Sequence, residues 1–234
     1  TTAPVNGGRP PRPRPSPPRP IAVCAVNVST HPSCPAGMAW VPPGDFTLGG
    51  TPSPRHVNGF CMDRTEVTVD AYRAYVTSGH RDEPDPYRAD GTWSAACNWN
   101  RPGTYGNHPV NCVDWRQADA YCRSRGQRLP TETEWEYAAQ RPDGRTYPWG
   151  NNTPDRDRLN ACGPECVSWA HRVLRETGWG AMYSTSDRWE TTAPVGTYTC
   201  GATVDGLLDM AGNVWECTSS EWSDTPGTQG PSIV

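Results

Sequence analysis

The chain of 234 residues has a formal net charge of −4 and a mean hydropathy of −0.74, and 35% of its residues are hydrophobic. This length fits one large domain or one domain with tails, and we interpret it as a single domain. The acidic balance argues against a general nucleic-acid-binding function. The longest apolar run, residues 21–26, is far shorter than the roughly 20 residues of a membrane helix, so we expect no membrane span.

The chain contains ten cysteines. This is too many for a reducing compartment unless they hold metal, and no Cys-x-x-Cys pair indicates a zinc site. We therefore predict several disulfides and a secreted, periplasmic or cell-surface protein. Ten cysteines allow about 945 complete pairings, so the connectivity stays open. Because the first residue is Thr1 rather than Met, we also expect that a signal segment has been removed or is not included.

The first elements in chain order are an extended arm and a hairpin. Residues 1–33 are predicted to be a Pro/Arg-rich tether, since the run PPRPRPSPPRP favours polyproline II geometry and cannot form a backbone hydrogen-bond ladder. Residues 34–234 form the predicted globular domain. It opens with GMAWVPPGDFTLGG, which predicts a hairpin around its Pro-Gly turn. The apolar residues of that hairpin are Met38, Trp40, Phe46 and Leu48.

Three helices follow, each recognised by a capping residue and an apolar stripe. The first begins after Thr68 and stops at Gly79. The second begins after Asp114, has Gln117 three positions on, and stops at Gly126. These residues predict two amphipathic helices on either side of a long irregular stretch.

The third helix has the clearest start. Thr131 and Glu134 form a Ser/Thr-x-x-Glu capping box, and Trp135 and the alanines after it face inward. The remaining chain is rich in Gly, Pro, Asn and Asp and predicts loops and short strands. One loop, residues 81–107, is long enough that we expect Cys97 to crosslink it.

Seven segments in order resemble the formylglycine-generating enzyme, or sulfatase-modifying factor, family. They are GMAWVPPGDFTLGG, HVNGFCMDRTEVTVDAYRAY, HPVNCVDWRQADAYC, RLPTETEWEYAA, YPWG, TAPVGTY and GLLDMAGNVWE. The resemblance implies an α+β fold of low secondary-structure content, loop-rich, disulfide-stabilised and related to C-type lectin-like domains.

The resemblance also implies two bound calcium ions. The residues suit this chemistry, because calcium takes six to eight oxygen ligands and loops rich in Asp, Asn and Gly supply them. One site would use the side chains of Asn160 and Asp187 and the carbonyls of Ala161 and Trp189. The second would use the side chains of Asp209 and Glu216 and the carbonyls of Gly212 and Val214.

The catalysts of the family oxidise a substrate cysteine to formylglycine with oxygen and a copper ion held by two cysteines. Those cysteines lie in a final segment, whereas this sequence continues after Trp222 as SDTPGTQGPSIV. The nearest substitute pair is Cys162 and Cys166, for which a disulfide is the favoured interpretation over copper binding. The histidines lack the His-x-x-x-His spacing of a metal hydrolase, so no catalytic residue is assigned.

Cys217 departs from the family pattern, and Cys122 lacks the partner that it has in some relatives. Cys217 stands where relatives usually carry an aromatic residue after the Trp-Glu pair, and it would suit an added disulfide. In some relatives the position of Cys122 bonds to a cysteine of the final segment. Cys122 is therefore expected to find another partner, to stay free or to bond to a separate polypeptide.

Two functional hypotheses remain. The first is a non-catalytic, calcium-binding interaction module with an unknown protein, peptide or glycan ligand, for which residues 93–99 and 169–189 are Trp-rich candidate surfaces. The alternative is one portion of a copper-dependent oxidase, completed by a separate or missing polypeptide, that acts on Cys-x-Pro-x-Arg peptides.

Overall fold

The structure is a computed structural model, and it describes residues 19–47, 49, 54–80, 82–84, 93–101 and 103–220. Four short strands come first: β1 (Met38–Val41), β2 (Gly44–Phe46), β3 (Arg55–Val57) and β4 (Phe60–Asp63). They form two antiparallel pairs, β1 with β4 and β2 with β3. The described part of the chain therefore has little regular sheet, as the fold class predicts.

The predicted hairpin over residues 37–50 is wrong. Its two halves, β1 and β2, are both strands, but each pairs with a later strand rather than with the other. The reason lies in Pro42 and Pro43, which separate them and have no N–H to donate across a turn. Instead, the carbonyl of Pro42 accepts hydrogen bonds from the Tyr137 hydroxyl at 3.0 Å and from Arg141 at 3.1 Å. Leu48 lies outside the described residues.

The three predicted helices are present with the predicted caps. They are α1 (Val69–Thr77), α2 (Trp115–Ser124) and α3 (Glu132–Gln140). Thr68 accepts from the backbone N–H of Ala71, while Asp114 and Thr131 each begin a full capping box. The two amphipathic helices, α1 and α2, bury aromatic residues in one cluster, which consists of Val69, Tyr72, Tyr75, Trp99 and Tyr121.

A fourth helix was not predicted. α4 (Pro164–Trp169) begins with Pro at its first turn and continues through a π-helical turn, Ala170–Leu174. Pro at the first helical position is a start signal, since its missing N–H would be unpaired there anyway. Single 3₁₀ turns at Trp93–Ala96 and Thr199–Gly201 complete the helical elements of the described residues.

Four disulfides hold the loops, and all four lie within the described chain. They join Cys24 to Cys200, Cys34 to Cys61, Cys97 to Cys112, and Cys162 to Cys166. The predicted crosslink of the long loop at Cys97 is confirmed. No helix among the described residues is both long and apolar enough to cross a membrane.

Residues 19–33, which the sequence places in the tether, are attached to the globular body. The Cys24–Cys200 disulfide joins this segment to the domain, and Ser29 donates its N–H to the carbonyl of Asp205 at 3.0 Å. Arg19 also pairs with Asp157. Residues 19–33 of the predicted tether are therefore bonded to the domain by a disulfide and by hydrogen bonds, although none of them is buried. Residues 1–18 lie outside the described residues.

Candidate metal sites and the groove beside them

The loop Gly206–Glu216 is held in an unusual backbone conformation. Asp209 and Asn213 have φ angles of 58° and 60°, a region that costs non-glycine residues free energy and that concentrates at functional sites. Leu207 and Met210 anchor the loop in the main core beside Tyr137. With its apolar side chains buried, the loop turns its carboxylates towards neighbouring segments.

Three carboxylates interact around this loop. Asp209 is 6% exposed, and its Oδ2 accepts from the backbone N–H of Gly196 at 2.5 Å. Glu216 is fixed by α3, because the indole N–H of Trp135 donates to its Oε2 at 2.9 Å. The third is Glu66, from the connection between β4 and α1. Both oxygens of Glu66 are buried with no N–H or hydroxyl donor from another residue, and the side chain faces the carboxyl group of Asp209.

The pKa values of the carboxyl groups in this cluster reflect their burial and the repulsion between neighbouring negative charges. Burial raises the pKa of Glu66 well above its ordinary value, and the charges of Asp209 and Glu216 raise it further. Burial and the charge of Asp209 likewise raise the pKa of Glu216 to about 7, although the bond from Trp135 opposes this. Without a cation, such a cluster must hold a proton.

The predicted residues of the other site also lie together. Tyr183 donates its hydroxyl to Asp187 Oδ2 at 2.6 Å, and the same hydroxyl lies 3.0 Å from the carbonyl of Ala161. The amide of Asn160 lies 3.3 Å from Asp187 Oδ2, and the N–H of Trp189 donates to Oδ1 at 2.9 Å. Several oxygen atoms thus converge, and one hydroxyl has a single proton to share among them.

Glu165 joins this second cluster and was not predicted. Its Oε1 accepts from the backbone N–H of Asp187 at 3.0 Å, while its Oε2 is buried and has no hydrogen-bond donor. Burial, followed by the neighbouring Glu165 carboxylate, raises the pKa of Asp187 to about 6. Two adjacent carboxylates therefore compete for one proton here as well.

The two clusters share a backbone junction. The N–H of Asn213 donates to the carbonyl of Asn160 at 2.9 Å. Gly212 passes so close that a Cβ at its position would lie 2.1 Å from the same carbonyl oxygen. The backbones of the two loops are therefore in direct contact.

No three side chains of Asp, Glu, His or Cys are arranged as a metal site within the described residues. A calcium ion here would consequently rely on the backbone carbonyls of the predicted sets as well as on the carboxylates. The assignment of Asn160, Asp187, Asp209 and Glu216 as ligands stays a prediction. Glu66 and Glu165 could have been suspected only as acidic residues near family landmarks, because nothing in their spacing links them to the sites.

A groove of about 420 Å³ lies beside the first cluster. We call it the α2 groove, since Ala118, Tyr121 and Cys122 of α2 form one wall, with β4 and residues 214–217 around it. Glu66 and Glu216 reach its lining. Trp215, at its edge, is 79% exposed. Most Trp side chains in the predicted Trp-rich surfaces contribute to packing instead, as the burial of Trp99 and Trp169 shows.

The cysteine predictions have clear outcomes. The favoured interpretation of Cys162 and Cys166 as a disulfide is confirmed. Cys122 and Cys217 are free and half-buried, so the added disulfide suggested for Cys217 is not formed. Both cysteines line the α2 groove.

The arrangement defines a loop-rich domain with acidic clusters in its long loops, and comparison places it in a family. Residues 25–234 match the family model described as "Sulfatase-modifying factor enzyme 1-like domain". The formylglycine-generating enzyme of Streptomyces coelicolor is 31% identical over an alignment covering 92% of this chain and 79% of that protein. The chain therefore belongs to the formylglycine-generating enzyme, or sulfatase-modifying factor, family.

Two further similarities bear on function and fold. A bovine protein named "Inactive C-alpha-formylglycine-generating enzyme 2" is 34% identical over 53% of this chain and 39% of its own length. The crystal structure of CarF matches with a TM-score of 0.55 and 20% identity, over 85% of this chain and 86% of that one. The CarF match supports the shared fold.

Proposed function

We propose that this chain is a calcium-stabilised, non-catalytic binding domain of the family, which presents the α2 groove to a protein, peptide or glycan partner. The observation that carries the proposal is Glu66, whose buried oxygens have no N–H or hydroxyl donor from another residue and face two further carboxyl groups. A buried carboxylate without a partner is costly, and a divalent cation is a partner that removes this cost.

The donor set suits calcium. Asp209 and Glu216 would supply carboxylate oxygens, and the carbonyls of Gly212 and Val214 would complete the shell with water, while the ion's charge would stabilise the neighbouring Glu66. The second ion would take Asn160, Asp187 and the carbonyls of Ala161 and Trp189. These ions would brace the loops that border the groove and would have no chemical step to perform.

A non-catalytic role is supported by two observations. Eight of the ten cysteines are in disulfides, including the pair Cys162 and Cys166, so that pair offers no thiolates to copper. The family also includes a relative that is named inactive. The disulfides further support the proposal that the protein is secreted, periplasmic or at the cell surface. We also propose that the fold of this domain is related to C-type lectin-like domains.

Calcium removal tests the proposal. A chelator should lower the melting temperature by about 5–10 °C, because a ligand at 100 times its Kd contributes about 2.7 kcal/mol to a domain of this size. Calcium should restore the melt. Asp209→Asn should reduce the response to the part that the second site supplies, whereas Glu190→Gln, at an exposed ion pair, should keep the full response. An unchanged melt after thorough calcium removal would contradict both sites.

The second candidate function is a portion of a copper-dependent formylglycine-generating oxidase, and the 31% identity to the Streptomyces coelicolor enzyme favours it. Under this proposal a separate or complementing polypeptide supplies the catalytic cysteines. Incubation of the chain with copper, oxygen and a Cys-x-Pro-x-Arg peptide separates the two proposals. Aldehyde formation in the peptide would refute the non-catalytic proposal, whereas an unreacted peptide would exclude only an oxidase that is complete in this chain.

A further inference from the structure

The Cys162–Cys166 disulfide closes a much smaller loop than the other disulfides of the described residues. Its cysteines are 4 positions apart, whereas the other three pairs are 15, 27 and 176 positions apart. A disulfide that closes so short a loop restricts the unfolded chain least. It also joins no distant segments of the fold, so its effect is local to residues 162–166.

The ring that this disulfide closes contains the start of α4. Gly163 is the N-cap residue and supplies no side-chain hydrogen bond to the six-residue helix. The far end of the helical segment is anchored in the apolar cluster of Trp169, Ala170 and Leu174. Because a helix this short is not stable by itself, the disulfide fastens the end of α4 that lacks a side-chain cap.

Glu165 lies inside the ring and faces the second acidic cluster. Its Oε1 accepts from the backbone N–H of Asp187 at 3.0 Å, and its Oε2 is buried without a hydrogen-bond donor. The side chain folds back over the ring, since a Cβ at Gly163 would lie 2.6 Å from Oε1. The same Cβ would lie 3.0 Å from the ring of Tyr183. The position of the Glu165 carboxylate therefore depends on the backbone that the disulfide holds.

The ring also continues directly into other groups of this cluster. The carbonyl of Cys162 accepts from the N–H of Met182 at 2.8 Å, and the next residue, Tyr183, donates its hydroxyl to Asp187. Ala161, whose carbonyl is a predicted calcium ligand, directly precedes Cys162. Both cysteines of the ring are only half-buried, so a reductant in solution can reach the bond.

We propose that the Cys162–Cys166 disulfide is a redox switch for the second calcium site, which holds Glu165 beside the ion when oxidised and releases it when reduced. A dithiol reductant breaks the S–S bond. Each sulfur takes up one electron and one proton, and the two thiols of the reductant become a disulfide. The inference rests on the calcium proposal, because it needs an ion at the second site.

The first test is a calorimetric calcium titration of the full chain carrying Asp209→Asn, so that the second site is measured. Adding Cys162→Ser and Cys166→Ser should raise the Kd by about 10- to 30-fold, the effect of closing a loop of this size. Glu165→Gln should also raise the Kd, and the two serines should then add little, because the disulfide acts through Glu165. Glu176→Gln is the control, since Glu176 is exposed and outside the ring, and it should leave the Kd unchanged.

The second test uses the parent chain and so does not depend on the folding of variants. The Cys162–Cys166 pair is equilibrated in dithiothreitol buffers with and without calcium, and its oxidised fraction is measured by alkylation and peptide mass. Linkage requires calcium to favour the oxidised form by the same factor as the disulfide favours calcium. Saturating calcium should therefore lower the midpoint potential of this pair by about 30–45 mV, the equivalent of a 10- to 30-fold effect.

The outcomes separate this inference from the calcium proposal. An unchanged midpoint potential, or equal calcium binding by the oxidised and reduced chains, overturns the redox switch alone. Losses from Glu165→Gln and from the two serines that simply add would overturn it as well, because the disulfide would then act without Glu165. An oxidised chain that binds no calcium at the second site contradicts the calcium proposal for that site and overturns this inference with it.

Discussion

Gly212 is the residue at which the two acidic clusters meet. Its φ angle is +86°, and a Cβ there would lie 2.1 Å from the Asn160 carbonyl oxygen. Both the backbone conformation and the space require glycine. Gly103 has the same φ of +86°, but nothing lies within 4 Å of a Cβ at its position. Gly103 therefore requires glycine for its backbone conformation alone, whereas Gly212 requires it for both reasons.

Gly212→Ala should therefore destabilise the protein more than Gly103→Ala. The strained φ costs both variants about 1–2 kcal/mol, and the backbone collision adds a further cost at position 212 alone. Urea unfolding of the two variants measures the difference. Equal losses of unfolding free energy would show that the loops can separate freely at this junction.

Glu66 illustrates what single-residue reasoning misses. The calcium ligands stay a prediction, and the carboxylate with the clearest need for a cation lies about 140 positions away in the sequence from Asp209. No spacing rule links such a pair. Its importance follows only from burial and from the absence of a hydrogen-bond donor to it.

At the scale of elements, α3 shows how local interactions define a helix. Thr131 accepts from the N–H of Glu134 at 3.1 Å, and Glu134 accepts from the N–H of Thr131 at 2.8 Å. Arg128 forms a bidentate ion pair with the same carboxylate, with Nη1 2.7 Å from Oε2 and Nη2 2.6 Å from Oε1. The capping box was predicted from the sequence because its two partners follow a local pattern, whereas the ion pair with Arg128 was not predicted.

Glu134→Gln should weaken α3 in a pH-dependent way. Burial would raise the pKa of Glu134, but Arg128 and Thr131 lower it overall below its ordinary 4.5. A lowered folded-state pKa gives stability that is present above 4.5 and is lost as the pH falls through the folded value. Because Arg128 is largely exposed, we expect a loss of only about 0.5–1 kcal/mol at neutral pH.

Denaturant unfolding at several pH values measures this effect. The difference between Glu134→Gln and the parent should shrink as the solution is acidified. Glu132→Gln is the control, since Glu132 lies in the same first turn and makes no ion pair among the described residues. A difference that is constant with pH would assign the loss to packing rather than to the carboxylate charge.

The pairing of the strands, unlike the position of the helices, depends on residues that are distant in the sequence. β1 and β2 were predicted to pair with each other because they are neighbours in sequence, yet β1 pairs with β4 in the register Trp40 to Cys61. The nearby disulfide from Cys34 to Cys61 fastens the same region. Pairing between strands depends on which faces can be buried together, and this is a non-local property.

For the whole molecule, the Cys24–Cys200 disulfide closes the largest loop. Its cysteines are 176 positions apart, whereas Cys162 and Cys166 are 4 apart. A crosslink restricts the unfolded chain more when the loop is longer. The first bond also attaches residues 19–33 to the body, and so stabilises a segment with few core contacts of its own.

Replacing Cys24 and Cys200 by serine should lower the free energy of unfolding by about 3–5 kcal/mol, against about 2 kcal/mol or less for Cys162 and Cys166. Thermal and urea unfolding of both double variants measure this. A larger loss from the short loop would indicate that its bond acts by positioning Glu165 and the second acidic cluster rather than through chain entropy.

The sequence by itself determined the family and the three capped helices, and it led to both calcium sets, which stay predictions. Those features rest on hydrogen bonds and residue patterns that span a few positions. Such local patterns can be recognised directly in the amino-acid sequence. The tertiary structure decided the strand pairing, the disulfide connectivity, the addition of Glu66 and Glu165, and the meeting of Cys122 and Cys217 in one groove. Each of these depends on which distant side chains are buried against each other, and burial is set by the packing of the whole chain.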